Sequence, residues 1–162
     1  MSIQAEFVNV SASQLEKHLG RIEDCVGKLT SEQFWTRYGE NQNAIGNLVL
    51  HLTGNVRQWI LSGVGGAPDT RVRQVEFSTR TPAPAADLMK TLRTTVEEAT
   101  AVIRGLSAEA LMQRITVQGY EVTKLEAVYH VVEHFSGHSF QIIFATKLLT
   151  GADLEFYAHL SP

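Results

Sequence analysis

An all-α four-helix bundle, up-down-down-up with a long crossover between its second and third helices, is the fold predicted for this chain of 162 residues. Three observations predict it. Four segments carry apolar residues at spacings of three and four, the mark of a helix with one buried face. Ser/Thr-x-x-Glu sequences stand where the first and last of these segments begin, and a glycine stands where the last one ends. Between the second and third segments lies a Gly- and Pro-rich connection of about 22 residues. At roughly 3.3 Å per extended residue it can cross the bundle, since a helix of about 18 residues is only about 27 Å long.

In the first segment Leu15, Leu19, Ile22, Val26 and Leu29 line one face, and Ser13 with Glu16 makes a capping box at its start. Thr30 and Gln33 repeat that signature ahead of Phe34 and Trp35, which predicts a short extra turn of helix. The second helix is expected from about Ala44 to Leu61, with Asn43 as its cap. Within the crossover, Arg71 to Phe77 alternates weakly and reads as extended. Its arginines Arg71, Arg73 and Arg80 mix with Asp69 and Glu76, so the segment reads as solvated. Leu88, Leu92, Val96, Ala99, Ile103 and Leu106 predict a third helix from about Ala85 to Gly105. Ile115 to Val122 reads as a small hairpin around Gln118-Gly119. Thr123 and Glu126 cap the fourth helix, which runs to Gly151. Residues 1–162 are expected to form a single domain.

Composition narrows the function. Hydrophobic residues make up 44% and charged residues 19%, too apolar for disorder. A net charge of -3 without a concentrated basic face argues against a nucleic-acid partner, and no basic pocket for a phosphate or carboxylate substrate stands out. Cys25, the single cysteine, forms no internal disulfide and reads as buried and inert, in keeping with a reducing compartment. The start, MSIQAEF, has neither a basic patch nor an apolar run, and no stretch approaches the roughly 20 apolar residues of a membrane span. The expectation is a soluble, cytoplasmic protein with no membrane partner.

The chemistry lies on the second and fourth helices. At about 100° per residue, with His134 at zero, His130, His138 and Gln141 all fall within about 40° of it. Ala127 and Ala145 share that stripe, and Val128, Val131, Phe135 and Ile142 flank it. On the second helix Asn47, His51, Asn55 and Gln58 make a matching stripe between leucines and Trp59. Buried amides and imidazoles need partners, and two polar stripes on two apolar helices find them by facing each other. His134 and His138, spaced i and i+4, can reach one ion, and His51 can supply a third nitrogen from across the bundle. Three nitrogens leave coordination positions open for water or substrate. On spacing alone, a metal site and a hydrogen-bonded core network both remain open. His130 to His134 also reads H-x-x-E-H, the inverted zincin motif with Glu133 as base, but the extended architecture of such peptidases is missing and Glu133 points off the stripe.

The runs GENQNAIGNLVLHLTGNVRQWI and HVVEHFSGHSFQIIFATKLLTG carry a resemblance. They resemble the DinB-like superfamily of metal-binding four-helix bundles, over nearly the whole chain, and look closest to an uncharacterised bacterial branch related to thiol-dependent transferases. The resemblance implies the up-down-down-up bundle, a homodimer, and a divalent metal, nickel or zinc, on His51, His134 and His138. Asn47, Asn55, Gln141 and His130 then stand as residues that orient the ligands or meet substrate. Phe140 occupies a position where related sequences often carry a smaller residue. The function expected is a metal-dependent S-transferase using a low-molecular-weight thiol as small-molecule substrate. A metal-dependent hydrolase and a non-enzymatic metal-binding or interaction module are its rivals.

Overall fold

Ser2, not Ser13, starts the first helix, α1 (Ile3–Val26): its hydroxyl accepts from the Ala5 N–H at 3.1 Å. The computed structural model describes residues 2–80 and 83–160. Val8 and Ala12 extend the apolar face of Leu15, Leu19, Ile22 and Cys25, all buried, by about two turns toward the N-terminus. Ser13 is therefore exposed in mid-helix, and Glu16 pairs through both carboxylate oxygens with Arg104 at 2.8 and 2.9 Å. The predicted capping box at Thr30 is present and starts α2 (Ser31–Trp35).

α3 (Ile45–Val56) begins after Ala44, and Asn43, the predicted cap, makes no capping bond. Aromatic packing fixes the chain there instead. The Trp35 ring lies so close to Gly46 that a Cβ at that glycine would stand 2.9 Å from three ring atoms. The Trp35 indole N–H donates to Ala83 O at 3.0 Å, tying this corner to the end of the crossover. α3 also outlasts its predicted end, continuing as a π-helical segment from Arg57 to Val64 with bonds such as Gly65 N–H to Ile60 O at 2.8 Å. A Cβ at Gly63 would come within 2.5 Å of Val117 Cγ2, so this glycine admits the hairpin.

The crossover is not extended between Arg71 and Phe77. It forms α4 (Arg73–Ser78), which packs on α3. So short a helix has little stability alone, and its terminal carbonyls need hydrogen-bond donors from elsewhere. Asn47 supplies them: its Nδ2 donates to Glu76 O at 2.8 Å and to Thr79 O at 3.1 Å. α5 (Ala85–Arg104) follows as predicted, then a single turn, α6 (Ala108–Leu111), capped by Ser107. β1 (Arg114–Val117) and β2 (Tyr120–Thr123) pair antiparallel with Ile115 opposite Val122. Gln118 and Gly119, at φ 53 and 81, make the two-residue turn. α7 (Lys124–Thr150) has the Thr123–Glu126 capping box and ends at Gly151, left-handed at φ 67.

Cross-helix contacts give the directions. α1 packs against α5 and α7, and α3 against the same two, leaving α1 diagonal to α3. Glu16 meets Arg104 and Glu23 meets Arg93, so α1 and α5 are antiparallel. His18 meets Ser139, and Ile3, Phe7 and Val10 share a groove with Tyr129 and Val132, so α1 and α7 are parallel. His51 meets His134 while Trp59 meets His130, so α3 and α7 are antiparallel. The bundle is up-down-down-up. Among the described residues no helix is long and apolar enough to cross a membrane.

Candidate metal centre

Three imidazole nitrogens meet where α3 faces α7. His134 Nε2 lies 3.1 Å from His51 Nε2 and 3.2 Å from His138 Nε2. Candidate ligand atoms of all three residues lie within 4.8 Å of one another. His51 is buried, and His134 and His138 are half-buried. The two polar stripes do face each other across the bundle.

Tautomers follow from the outer partners. Glu76, a buried carboxylate, accepts from His51 Nδ1 at 2.8 Å. Burial opposes its ionisation, but hydrogen bonds from Arg71 and His51 outweigh that and hold its pKa below the usual value. An ionised carboxylate only accepts, so His51 carries a proton on Nδ1, and in the neutral imidazole that ligates a metal the Nε2 lone pair faces the other histidines. The same holds for His138, whose Nδ1 stands 2.7 Å from the Gln141 carbonyl oxygen. Two lone pairs thus converge on His134 Nε2, which carries at most one proton when neutral. One proton cannot make two good hydrogen bonds in opposite directions, and a cation satisfies all three nitrogens. Two nitrogens each about 2.0–2.1 Å from one ion at a tetrahedral angle lie about 3.3 Å apart, close to the observed spacings. The three histidines are placed so that they can hold a metal ion.

Glu76 is itself held. Arg71 binds it in two-pronged fashion, Nε to Oε1 at 2.7 Å and Nη2 to Oε2 at 2.8 Å, with the guanidinium side chain only 3% exposed. Gln58 Oε1 accepts from Arg71 Nη1 at 2.9 Å, and the Phe77 ring lies 4.7 Å from that of His51. Arg71 is therefore not solvated, as its charge-rich surroundings suggest, but buried against its acid. Gly54 makes room: a Cβ there would overlap Glu76 Oε1. Gly54→Ala is expected to displace Glu76 from His51 and cost about 1–3 kcal/mol, as overpacking generally does. Urea denaturation checks the loss, and the histidine's Nδ1 proton resonance checks the displacement.

The other predicted residues divide. Gln141 orients His138. His130 stacks on Trp59 at 4.2 Å and lies 5.6 Å, ring to ring, from His134, outside the converging set. Asn47 does not bond the imidazoles; it accepts from Arg37 Nη2 at 2.6 Å and closes α4. Asn55 is buried with Oδ1 unpartnered, as is His134 Nδ1. Phe140 turns toward His18 and Arg21 of α1, and Glu133 is exposed. Cys25 is buried, and burial raises its pKa, as an inert thiol requires.

Burial and the neighbouring His138, His51, His130 and Arg71 charges push His134 down to about 3. Burial foremost also lowers His138, His130 and His18. Each of these groups takes up its proton at a lower pH in the folded chain than in the unfolded one, where protonation sets in near 6.5. The unfolded state then binds more protons, so stability falls with pH. The metal-free protein is expected to lose stability steadily as pH drops from 6.5 toward 3, read from urea midpoints across that window. A flat profile would contradict it.

Residues 2–159 match the family described as Protein of unknown function (DUF1572). No curated protein matches the chain. Among solved structures, a conserved protein from Enterococcus faecalis aligns with a TM-score of 0.77 at 15% identity, covering 94% of this chain and 99% of that one. A DinB-like protein from Bacillus subtilis aligns with a TM-score of 0.68 at 18% identity, covering 91% and 96%.

Proposed function

Since the chain belongs to the DUF1572 family and has a DinB-like fold, we propose that it is a metal-dependent transferase acting on a low-molecular-weight thiol. The observation that carries this is the convergence of three imidazole nitrogens from two helices without a fourth ligand in the cluster among the described residues. His51, His134 and His138 hold the ion, with nickel and zinc among the metals suited to imidazole donors. A divalent ion held there supplies Lewis acidity that lowers the pKa of a bound thiol or water.

The chain's own residues set the conditions. Three neutral donors leave the ion's double charge uncompensated, and the nearby Glu76 is balanced by Arg71. Such a site favours an anionic, soft ligand, as a deprotonated thiol is. Glu76 and Gln141 hold the His51 and His138 rings in the ligating tautomer. A cleft of about 350 Å³ begins at Gln141 and runs between Ile45, Leu48, Phe144 and Leu148, offering an apolar wall to the electrophile. The sulfur forms the new bond, its proton passes to solvent, and the leaving group departs with its electron pair. The same proposal includes a cytoplasmic homodimer, in which Tyr129, 63% exposed on α7, belongs to surface a second copy can cover.

Cobalt-loaded protein tests the thiol reading. Added thiols are expected to produce a sulfur-to-metal charge-transfer band, and a panel of thiols and electrophiles to reveal transfer. A band without transfer would leave a metal-binding module; hydrolysis without thiol dependence would favour a hydrolase.

A further inference from the structure

Two arginines distant in sequence reach one backbone oxygen. Arg37 Nη2 donates to Phe77 O at 3.2 Å, and Arg80 Nη1 donates to the same atom at 2.6 Å. Among the described residues neither guanidinium is paired with a carboxylate, whereas Arg71, Arg93 and Arg104 each have a glutamate. Burial, and then the Arg80 charge, lower the pKa of Arg37 from its ordinary value. Two like charges brought together without a counter-ion, in a chain of net charge -3, mark a place where an anion is favoured.

The pair is also well placed. Arg37, Arg80, Tyr38, Gly39 and Glu40 line a cavity of about 610 Å³. Glu40, exposed at this mouth, forms no ion pair with either arginine. Phe77, whose carbonyl both arginines share, sets its ring against that of His51 at a tilt of 42°. Arg37 also bonds Asn47, one helical turn before His51. On the other side Tyr38 forms a wall common to this cavity and to the apolar cleft that begins at Gln141. Each guanidinium has five N–H donors in a planar fork, and the bonds to Phe77 O, Asn47 Oδ1 and Thr79 O occupy only one nitrogen of each.

We infer that Arg37 and Arg80 form an oxyanion subsite beside the histidine centre, which takes a carboxylate or phosphate group of the substrate. The substrate class is then an acidic small molecule: a reactive group at the histidines, an apolar body along the cleft, and an oxyanion on the arginines. Assigning the anion to the substrate rests on the metal-centre reading; the binding of an anion does not. No basic pocket is visible in the sequence because residues 37 and 80 meet only through the fold of the crossover.

Titration of the full chain with inorganic phosphate, and separately with succinate, followed by NMR, tests the subsite. Saturable shifts are expected at the Tyr38, Gly39 and Arg80 amides, with the tighter probe assigning the group. Arg80→Ala, which changes an exposed side chain, is expected to weaken binding at least fivefold, and Arg37→Lys to weaken it while keeping the fold. His138→Ala is expected to bind phosphate as the wild type does, which separates this subsite from the metal centre. No saturable shift with either probe, or equal binding by Arg80→Ala, would overturn the inference and leave the metal reading standing. Phosphate binding by a protein that takes up no metal would support the subsite and refute the metal reading.

Discussion

Glu76→Ala is expected to cost about 3–5 kcal/mol of folding free energy, because it strands Arg71 as a buried charge without its partner. The Arg71 side chain is 3% exposed and spends two of its donors on this one carboxylate. Arg71 also sits between Gln58 and His51, and the other acid beside it, Asp69, bonds the Arg71 backbone N–H rather than the guanidinium. Glu76→Gln keeps an acceptor for His51 and is expected to cost less. The Arg71→Ala/Glu76→Ala double variant is expected to recover part of the loss, since it removes both charges. Urea denaturation of the wild type, Glu76→Ala, Arg71→Ala and the double variant measures the cycle; additive losses would mean the pair is not coupled. Metal affinity is a second readout, expected to fall about 10–100-fold in Glu76→Ala because the His51 tautomer is no longer fixed.

How much of this was legible in the sequence follows a physical rule. Local signals were readable wherever the element is stabilised by its own residues. The Thr123–Glu126 box, Gly151 and the Gln118-Gly119 turn are local devices, and each stands where its spacing predicts. The Ser13–Glu16 box failed because the same spacing occurs inside a helix whose apolar face continues through Val8. α4 was illegible because its carbonyls are satisfied by Asn47, some thirty residues away. The converging histidines were legible because each lies on a helix of regular period. Glu76 and Arg71 were not, since their burial depends on how the crossover returns over α3. The one local trace of it is Gly54 in HLTGN, a glycine in a helix interior, which usually marks a close approach.

His134→Ala is the second large effect. It removes the nitrogen that lies near both of the others and leaves His51 and His138 without their shared neighbour. Metal affinity is expected to fall at least 100-fold, beyond the roughly 10–100-fold that loss of an outer partner costs. Competition against a chromophoric chelator reads this directly. Glu133→Ala, at an exposed position one residue away, is expected to bind as the wild type does. A large loss of metal affinity in His130→Ala with none in His138→Ala would instead favour the H-x-x-E-H pairing, in which Glu133 is the base and not a ligand.

The central claim is that the histidines hold an ion, and the most direct measurement is the metal content of the protein purified without a histidine tag. Near-stoichiometric transition metal in the wild type, absent from His134→Ala, is the predicted result. A wild-type protein that arrives empty and takes up none of added nickel, zinc or cobalt would contradict it, and would return the three histidines to a hydrogen-bonded core.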